Sequence, residues 1–216
     1  TTLTQTITVQ DTTAPELTVP EDYTAECSDE HPLDDASATD NCGEVTITLV
    51  ADTAAGACAQ AYTVTRTFTA TDECGNSTTD TQTITIVDTT APTFNEELPG
   101  DMTVDCTHPE AAVLTASDNC QDVSVNFEEN IAAGSCPNQY TVTRTWSVSD
   151  DCGNSTSHTQ VIEVVDNTAP EFTFVPSDYT AECDEELVFD DASATDNCGS
   201  VTVTVDEVTY DTECAQ

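Results

Sequence analysis

A set of motifs with four cysteines recurs every 77 to 79 residues, and this internal repeat limits the possible folds more than any other feature. The linker motif Asp-Thr-Thr-Ala-Pro begins at Asp11 and at Asp88, and it recurs as Asp-Asn-Thr-Ala-Pro at Asp166. The first copies of the other repeated motifs are Asp-Tyr-Thr-Ala-Glu-Cys at 22–27, Thr-Asp-Asn-Cys at 39–42, Tyr-Thr-Val-Thr-Arg-Thr at 62–67 and Cys-Gly-Asn-Ser-Thr at 74–78. Five motifs in one order at one period indicate tandem modules.

The repeat predicts the domain organisation. Residues 1–10 match the closing strand of a module, because Thr-Gln-Thr-Ile-Thr recurs at 81–85. We therefore expect them to end a preceding repeat, followed by repeats at 11–87 and 88–165 and by a truncated repeat at 166–216. In a rival scheme, residues 1–10 complete the third module of a neighbouring chain. That scheme fails by count, since the third module lacks two strands and the segment supplies one.

The charge of the chain excludes several functions. Forty-two acidic residues face only two basic ones, Arg66 and Arg144, which gives a formal net charge of −40. Phosphate binding in nucleic acids and docking to anionic lipid both need clustered Lys or Arg. No stretch approaches the roughly 20 apolar residues of a membrane span. The 11 cysteines indicate an oxidising compartment, so we expect an exported, extracellular protein.

Side-chain alternation predicts the fold class. Tyr62, Val64 and Phe68 share one face of a strand, and Thr63 and Thr65 share the other. Threonine supplies about a fifth of the chain and favours strands, and stripes with the helical period are absent. We therefore predict an all-β protein of tandem immunoglobulin-like or fibronectin-III-like antiparallel β-sandwiches, each of about 77 residues.

Predicted strand directions suggest how the cysteines pair. In each module they place the first and third cysteines at one end and the second and fourth at the other, and a bridge needs Cα atoms about 5.5 Å apart. The predicted bridges are Cys27–Cys58, Cys42–Cys74, Cys106–Cys136, Cys120–Cys152 and Cys183–Cys214. A zinc site is disfavoured because no Cys-x-x-Cys occurs and the histidines occupy no common place in the motifs.

A subset of the acidic residues is expected to meet where modules join. The linker Asp and the Asp and Asn residues of two turns all fall at the same end of a module. The predicted ligands are Asp11, Asp40, Asn41 and Asp72; Asp88, Asp118, Asn119 and Asp150; and Asp166, Asp196 and Asn197. Three carboxylates gather only around a cation, and oxygen ligands favour structural calcium. The alternative is that these are turn residues that bond their own backbone.

These motifs resemble a known family. Asp-x-Thr-Ala-Pro at 11–15, Thr-Asp-Asn-Cys-Gly at 39–43 and Thr-Ala-Thr-Asp-x-Cys-Gly-Asn at 69–76 resemble hyalin-repeat-like (HYR-like) modules, in the four-cysteine version of giant Bacteroidetes-type surface adhesins such as gliding-motility adhesins. The resemblance implies immunoglobulin-like repeats on the bacterial cell surface, with a role in adhesion or in an extracellular filament. Neighbouring repeats of the same long chain would be the main partners, with lateral self-association and binding to surface glycans or solid substrata as further possibilities.

Two other functions compete with a structural stalk. Ladders of Thr-x-Thr-x-Thr at 63–67 and 81–85 form rows of hydroxyl groups that could bind ice or a polysaccharide. An enzyme is not expected, because no nucleophile–His–acid set repeats in register and no Gly-rich phosphate loop is present. For Arg66 and Arg144, the expected role is a salt bridge to a neighbouring acid.

Overall fold

A computed structural model describes residues 2–136, 138–180, 182, 185, 186 and 189–206. These residues form fourteen strands and no helix, which confirms the predicted all-β class. The strands are β1 Glu16–Thr18, β2 Tyr23–Glu26, β3 Ser37–Thr39, β4 Val45–Ala55, β5 Tyr62–Asp72, β6 Ser77–Val87, β7 Thr93–Phe94, β8 Met102–Asp105, β9 Ala116–Ser117, β10 Asn126–Ala133, β11 Tyr140–Ser149, β12 Ser155–Val165, β13 Glu171–Phe174 and β14 Ser193–Thr195.

The first repeat is built from two sheets. Strands β1 and β3 form a small antiparallel sheet. The larger sheet has the order β2-β6-β5-β4, in which β5 is antiparallel to both neighbours and β2 is parallel to β6. The strand directions therefore match the sequence prediction. Gly75, with φ of 90°, allows the tight turn between β5 and β6, because that backbone conformation is costly for a residue with a Cβ atom.

The alternating faces of β5 and β6 separate the core from solvent. Phe68, Ala70, Ile84 and Ile86 are at most 2% exposed. Arg66 is buried among them, and its Nη1 donates to the carbonyl oxygen of residue 34 (2.9 Å) and to Oε1 of residue 82 (2.8 Å). Among the described residues Arg66 makes no salt bridge, which corrects the prediction, and its bonds to neutral oxygens tie a loop to the sheet instead.

The second repeat follows the same plan. Strands β7 and β9 pair antiparallel, and the larger sheet has the corresponding order β10-β11-β12-β8. Val142, Ile162 and Val164 form a fully buried cluster. Arg144 makes the predicted salt bridge, since its Nε lies 2.8 Å from Oε2 of Glu129. In the third repeat, the structure describes the antiparallel pair β13–β14.

The chain divides into two compact units. Unit 1 contains Thr1–Glu97, Leu114–Asn126 and Ser147–Ser157; unit 2 contains Leu98–Val113, Phe127–Trp146 and His158–Gln216. The predicted repeat boundaries at 11–87, 88–165 and 166–216 stay predictions.

The disulfides link different repeats, which corrects the predicted pairing. Within unit 1 the bridges are Cys27–Cys120 and Cys58–Cys152, with Cα separations of 5.8 and 5.0 Å. Within unit 2 the bridge is Cys106–Cys198, with a Cα separation of 4.9 Å. Among the described residues, the cysteines that remain free are Cys42, Cys74 and Cys136. The predicted pairs Cys27–Cys58, Cys42–Cys74, Cys106–Cys136 and Cys120–Cys152 are therefore wrong, and Cys183–Cys214 lies outside the described residues.

The sheet order explains this error. Cys27 follows β2 and Cys58 follows β4, and these strands lie at opposite edges of one sheet. Three strand spacings of about 4.8 Å separate them by about 14 Å, well beyond the reach of a disulfide. Cys42 follows β3 in the small sheet, whereas Cys74 follows β5 in the large one, and stacked sheets lie about 10 Å apart. The strand directions agree with the predicted ends, but each of the three disulfides in the described residues joins two consecutive repeats.

Candidate metal centres at the ends of the repeats

Strand ends bring the predicted acidic residues together. In the first repeat, Asp40 follows β3 and Asp72 ends β5, next to the linker residue Asp11. We call Asp11, Asp40 and Asp72 the first cluster. In the second repeat, Asp118 follows β9 and Asp150 follows β11. They meet Asp88, and these three residues form the central cluster, which lies within unit 1.

Both clusters have the geometry of a cation site. In each, one carboxylate oxygen per residue lies within 4.8 Å of the others. The central cluster is strongly desolvated, because Asp88 is 7% exposed and Asp150 is 8% exposed. Like charges at this distance repel by about 3.5 kcal/mol per pair at an effective dielectric constant of 20. The fold thus concentrates negative charge where water screens it poorly.

Buried carboxylate oxygens without a hydrogen-bond donor mark the two clusters. Among the described residues these orphans are both oxygens of Asp88 and the Oδ2 atoms of Asp11, Asp40 and Asp118. A buried anionic oxygen is costly unless a donor, a cation or a proton compensates it. Every buried orphan carboxylate oxygen in the described chain belongs to one of the two clusters, so the residues present fit a bound cation.

The turn-forming role proposed as an alternative is also present, and it uses the other oxygen of the same residues. Oδ1 of Asp40 accepts a hydrogen bond from the Cys42 N–H, and Oδ1 of Asp118 accepts one from the Cys120 N–H, each at 2.9 Å. Oδ1 of Asp11 accepts from the backbone N–H two residues later at 3.0 Å. One oxygen therefore fixes the turn while Oδ2 stays without a partner.

Two asparagines that the sequence prediction missed hold the clusters in place. Asn154 donates from its backbone and from Nδ2 to the two carboxylate oxygens of Asp150, at 2.8 and 2.6 Å. The same Nδ2 donates to the backbone oxygen of Asp88 at 3.1 Å. Asn76 bonds Asp72 in the same way. The signal was in the repeated Cys-Gly-Asn motif, whose Asn follows the cluster acid by four residues.

The pKa shifts follow from these contacts. Burial, together with repulsion from Asp118 and Asp150, raises the pKa of Asp88 above its ordinary value, although the nearby Thr90 N–H acts in the opposite direction. Burial also acts to raise the pKa of Asp150, but hydrogen bonds from Asn154 and neighbouring backbone N–H groups outweigh it and lower the pKa. The central cluster therefore contains one carboxylate that disfavours its charge and one that is stabilised in the charged form.

The three asparagines predicted as metal ligands differ from the buried aspartates. Asn41, Asn119 and Asn197 are exposed. Nδ2 of Asn119 donates to the Ser28 hydroxyl at 3.0 Å, and Nδ2 of Asn197 donates to Oδ2 of Asp105 at 2.8 Å. These two amides link repeats by hydrogen bonds to the residues around the disulfides.

Two further acidic sites differ from the clusters. In unit 2, Asp166 and Asp196 lie beside Cys198, whose sulfur is already in a disulfide. Glu26, which the sequence prediction missed, lies close to Asp88. Its carboxylate accepts hydrogen bonds from the backbone N–H and the hydroxyl group of Thr89. Asp166 and Asp196 form a less complete site than the first and central clusters, and Glu26 adds a fourth carboxylate next to the central one.

The chain is similar at low scores to solved structures of cadherins and protocadherins. The Drosophila N-cadherin EC1-4 structure is 17% identical with a TM-score of 0.29, covering 71% of this chain and 50% of its own. The protocadherin GammaB4 extracellular domain is 18% identical with a TM-score of 0.31, covering 84% of this chain and 37% of its own. Human mucin-like protocadherin EC1-2 is 13% identical with a TM-score of 0.30, covering 70% and 98%. Likeness at this level establishes no family, ligand or partner.

No family model and no curated protein matches the chain. In the described residues, no helix is long and apolar enough to cross a membrane.

Proposed function

We propose that this chain is a structural module of a secreted, repetitive cell-surface adhesin or extracellular filament, stiffened where repeats join by disulfides and calcium. One observation carries the proposal. Asp88 is buried with both carboxylate oxygens unpartnered beside Asp118 and Asp150, and two disulfides join the same consecutive repeats.

The disulfides restrict movement between the first two repeats within unit 1. Cys27–Cys120 and Cys58–Cys152 begin after strands at opposite edges of one sheet. A single bridge would leave rotation about its own bonds. Two bridges separated by about the width of a four-stranded sheet, about 14 Å, oppose both bending and twisting. A resistant joint is the property that a stalk needs.

A bound cation would complete this joint. The central cluster brings together one carboxylate oxygen from each of Asp88, Asp118 and Asp150. Calcium accepts six to eight oxygen ligands in flexible geometry, and water can supply those that the carboxylates do not. Magnesium retains its waters and requires a stricter octahedron. Zinc prefers thiolate and imidazole ligands, and the nearby sulfurs of Cys27 and Cys120 are bonded to each other.

The proposal extends to location and partners. Three disulfides fit an oxidising compartment outside the cytoplasm. The motif resemblance to HYR-like modules supports a bacterial surface and a role in adhesion or gliding. Neighbouring repeats are the first partners, and surface glycans, solid substrata or parallel copies of the chain are the further ones. The role proposed is mechanical and not enzymatic.

Calcium binding is tested by calorimetric titration of chelator-treated protein together with thermal melting. Asp118→Asn keeps the turn-forming oxygen and removes the charge that faces the cluster. We expect it to weaken calcium binding at least tenfold and to reduce the calcium-dependent rise in melting temperature. Asp122→Asn, a change at an exposed acid four residues away, is the matched control. Equal titrations for wild type and Asp118→Asn would refute calcium at this cluster.

A second candidate function rests on the outer face of the first repeat. Four pairs of threonines lie opposite each other on β5 and β6: Thr63 with Thr85, Thr65 with Thr83, Thr67 with Thr81 and Thr69 with Thr79. Strand geometry spaces these residues about 4.8 Å across and about 6.8 Å along the sheet, and the hydroxyl groups of Thr69 and Thr79 lie 3.0 Å apart. This regular hydroxyl grid favours binding to ice or to a polysaccharide.

Thermal hysteresis and glycan-array binding test this second function. Thr67→Tyr places a ring in the middle of the grid, whereas Thr93→Tyr changes an exposed threonine elsewhere. Loss of binding in the first variant alone would support the grid. If wild type shows neither activity, the second function is excluded.

A further inference from the structure

Two free cysteines accompany the first cluster. Cys42 and Cys74 are both exposed. They lie 78 residues before Cys120 and Cys152, which occupy the same motifs in the second repeat. Those two cysteines each form a disulfide with the preceding repeat. Cys42 and Cys74 therefore stand at positions that bond a neighbouring repeat elsewhere in the molecule.

The local structure around the free cysteines matches that of the bonded ones. The Cys42 N–H donates to its turn aspartate at 2.9 Å, the same distance as for Cys120. Gly75 and Gly153, which follow Cys74 and Cys152, have φ values of 90° and 94°. The first cluster also has two orphan carboxylate oxygens, on Asp11 and Asp40. This end of the first repeat is thus shaped for docking without a docked partner.

A second, independent observation identifies the partner. Residues 4–8 repeat residues 81–85 of β6 at an offset of 77 residues, and Val9 stands where β6 has Ile86. In β6, Ile84 and Ile86 are 2% exposed, whereas the matching Ile7 and Val9 are 76% and 90% exposed. Residues 2–10 belong to no strand. The segment therefore has the apolar alternation of a closing strand and, in the described structure, no sheet to join.

We propose that the end of the first repeat formed by Asp11, Asp40, Cys42, Asp72 and Cys74 is a covalent docking surface for a further repeat of the same kind, whose closing strand is Thr4–Val9. Two cysteines of that repeat, at positions equivalent to Cys27 and Cys58, form disulfides with Cys42 and Cys74. In each bond two thiols join, and a disulfide oxidant of the glutathione class accepts two electrons and two protons, leaving as two thiols.

Chain continuity selects this occupant. In the first repeat, β6 ends at Val87 and the next residue is Asp88 of the central cluster. The Cys27 N–H donates to the Val87 oxygen at 2.9 Å, which places that cysteine beside the strand end. Gln10 precedes Asp11 in the same way. A repeat closed by Thr4–Val9 therefore arrives at the first cluster with its own first cysteine beside it. The positions of the cysteines support the docking of this repeat independently of any calcium binding.

The test extends the chain. Residues 11–80, with Ser at their own positions 42 and 74, are placed before residues 4–216, so that Thr4–Val9 can close the added repeat. The protein is oxidised in a glutathione buffer and mapped by non-reducing proteolysis and mass spectrometry. We expect linked peptides joining the added copies of positions 27 and 58 to Cys42 and Cys74. We also expect at least a hundredfold slower hydrogen exchange in Thr4–Val9 than in the unextended chain.

The controls separate this proposal from the calcium proposal. Ile7→Asp in the extended chain should restore fast exchange and reduce the new bridges. The mapping is repeated in chelator, where the bridges should persist even if no metal site exists. Cys42 and Cys74 that stay open to alkylation in the folded extended protein, or that bond each other, would overturn the docking surface.

Discussion

Replacing Asp88 by asparagine should have opposite effects with and without calcium. Asp88 is 7% exposed, and a carboxylate oxygen lies within 4.8 Å of one from Asp118 and one from Asp150. Neutralising it removes two repulsive pairs, worth about 3.5 kcal/mol each at an effective dielectric constant of 20. Exposure of Asp118 and screening by salt reduce this sum, so we expect a net gain of about 2 kcal/mol in chelator.

Differential scanning calorimetry provides the measurement. About 2 kcal/mol corresponds to a rise in melting temperature of about 5–10 °C for a unit of this size in chelator. In saturating calcium the order should reverse, because wild type gains the binding free energy of the metal and Asp88→Asn loses a ligand. Asp122→Asn, at an exposed site outside the cluster, should follow wild type in both conditions.

The decisive result is that the order of the two melting temperatures, of wild type and of Asp88→Asn, reverses between chelator and saturating calcium. A variant that melts below wild type in chelator would show that the Asp88 carboxylate stabilises the metal-free fold. A variant and wild type with the same response to calcium would show that the cluster binds no metal. Either result refutes the view that the central cluster stores repulsion for a cation to relieve.

Four further outcomes are expected. Asp88 has a raised pKa in the folded, metal-free protein, so its contribution to stability is present at acid pH and is lost as pH rises through that pKa. Thermal melting in chelator from pH 3 to 7 should therefore show a loss of stability that Asp88→Asn abolishes. Asp150 has a lowered pKa and contributes with the opposite sign, as stability lost when pH falls, so Asp150→Asn should remove an acid-side loss in the same scan. Asn154→Ala removes the donors of both side-chain bonds and should cost about 2–3 kcal/mol in urea unfolding, whereas an equal stability would show that the turn is held by its backbone alone. Arg144→Met leaves Glu129 without its cation and should cost about 3 kcal/mol in the same assay, a value that an unchanged midpoint would contradict.

Strand content and direction were accessible from the sequence because alternation fixes which side of a strand is buried. Phe68 and Ile84 lie in the core as their spacing predicts. The clustering of Asp88, Asp118 and Asp150 was also accessible, since it follows from which strand ends share an end of the module.

The pairing of the cysteines could not be predicted from the sequence in the same way. A period of 77 to 79 residues places equivalent cysteines at equivalent positions, but it does not say whether Cys27 bonds its own repeat or the next one. The order of strands across the sheet decides this, and alternation carries no information on that order. Glu26 belongs to the repeated motif at 22–27, but it was missed because the prediction placed it at the opposite end of its own repeat from the aspartates.

The disulfides between repeats change how the chain would respond to a force that pulls on its ends. Between Cys27 and Cys120 the backbone runs through 93 residues, yet the covalent shortcut is a single cystine. If those residues unfolded without the disulfide, the chain would lengthen by about 300 Å. The disulfide carries the force past them, so this length is not released. A tether of this design would yield little under tension, holding a cell or a neighbour at nearly constant distance until a sulfur–sulfur bond is reduced.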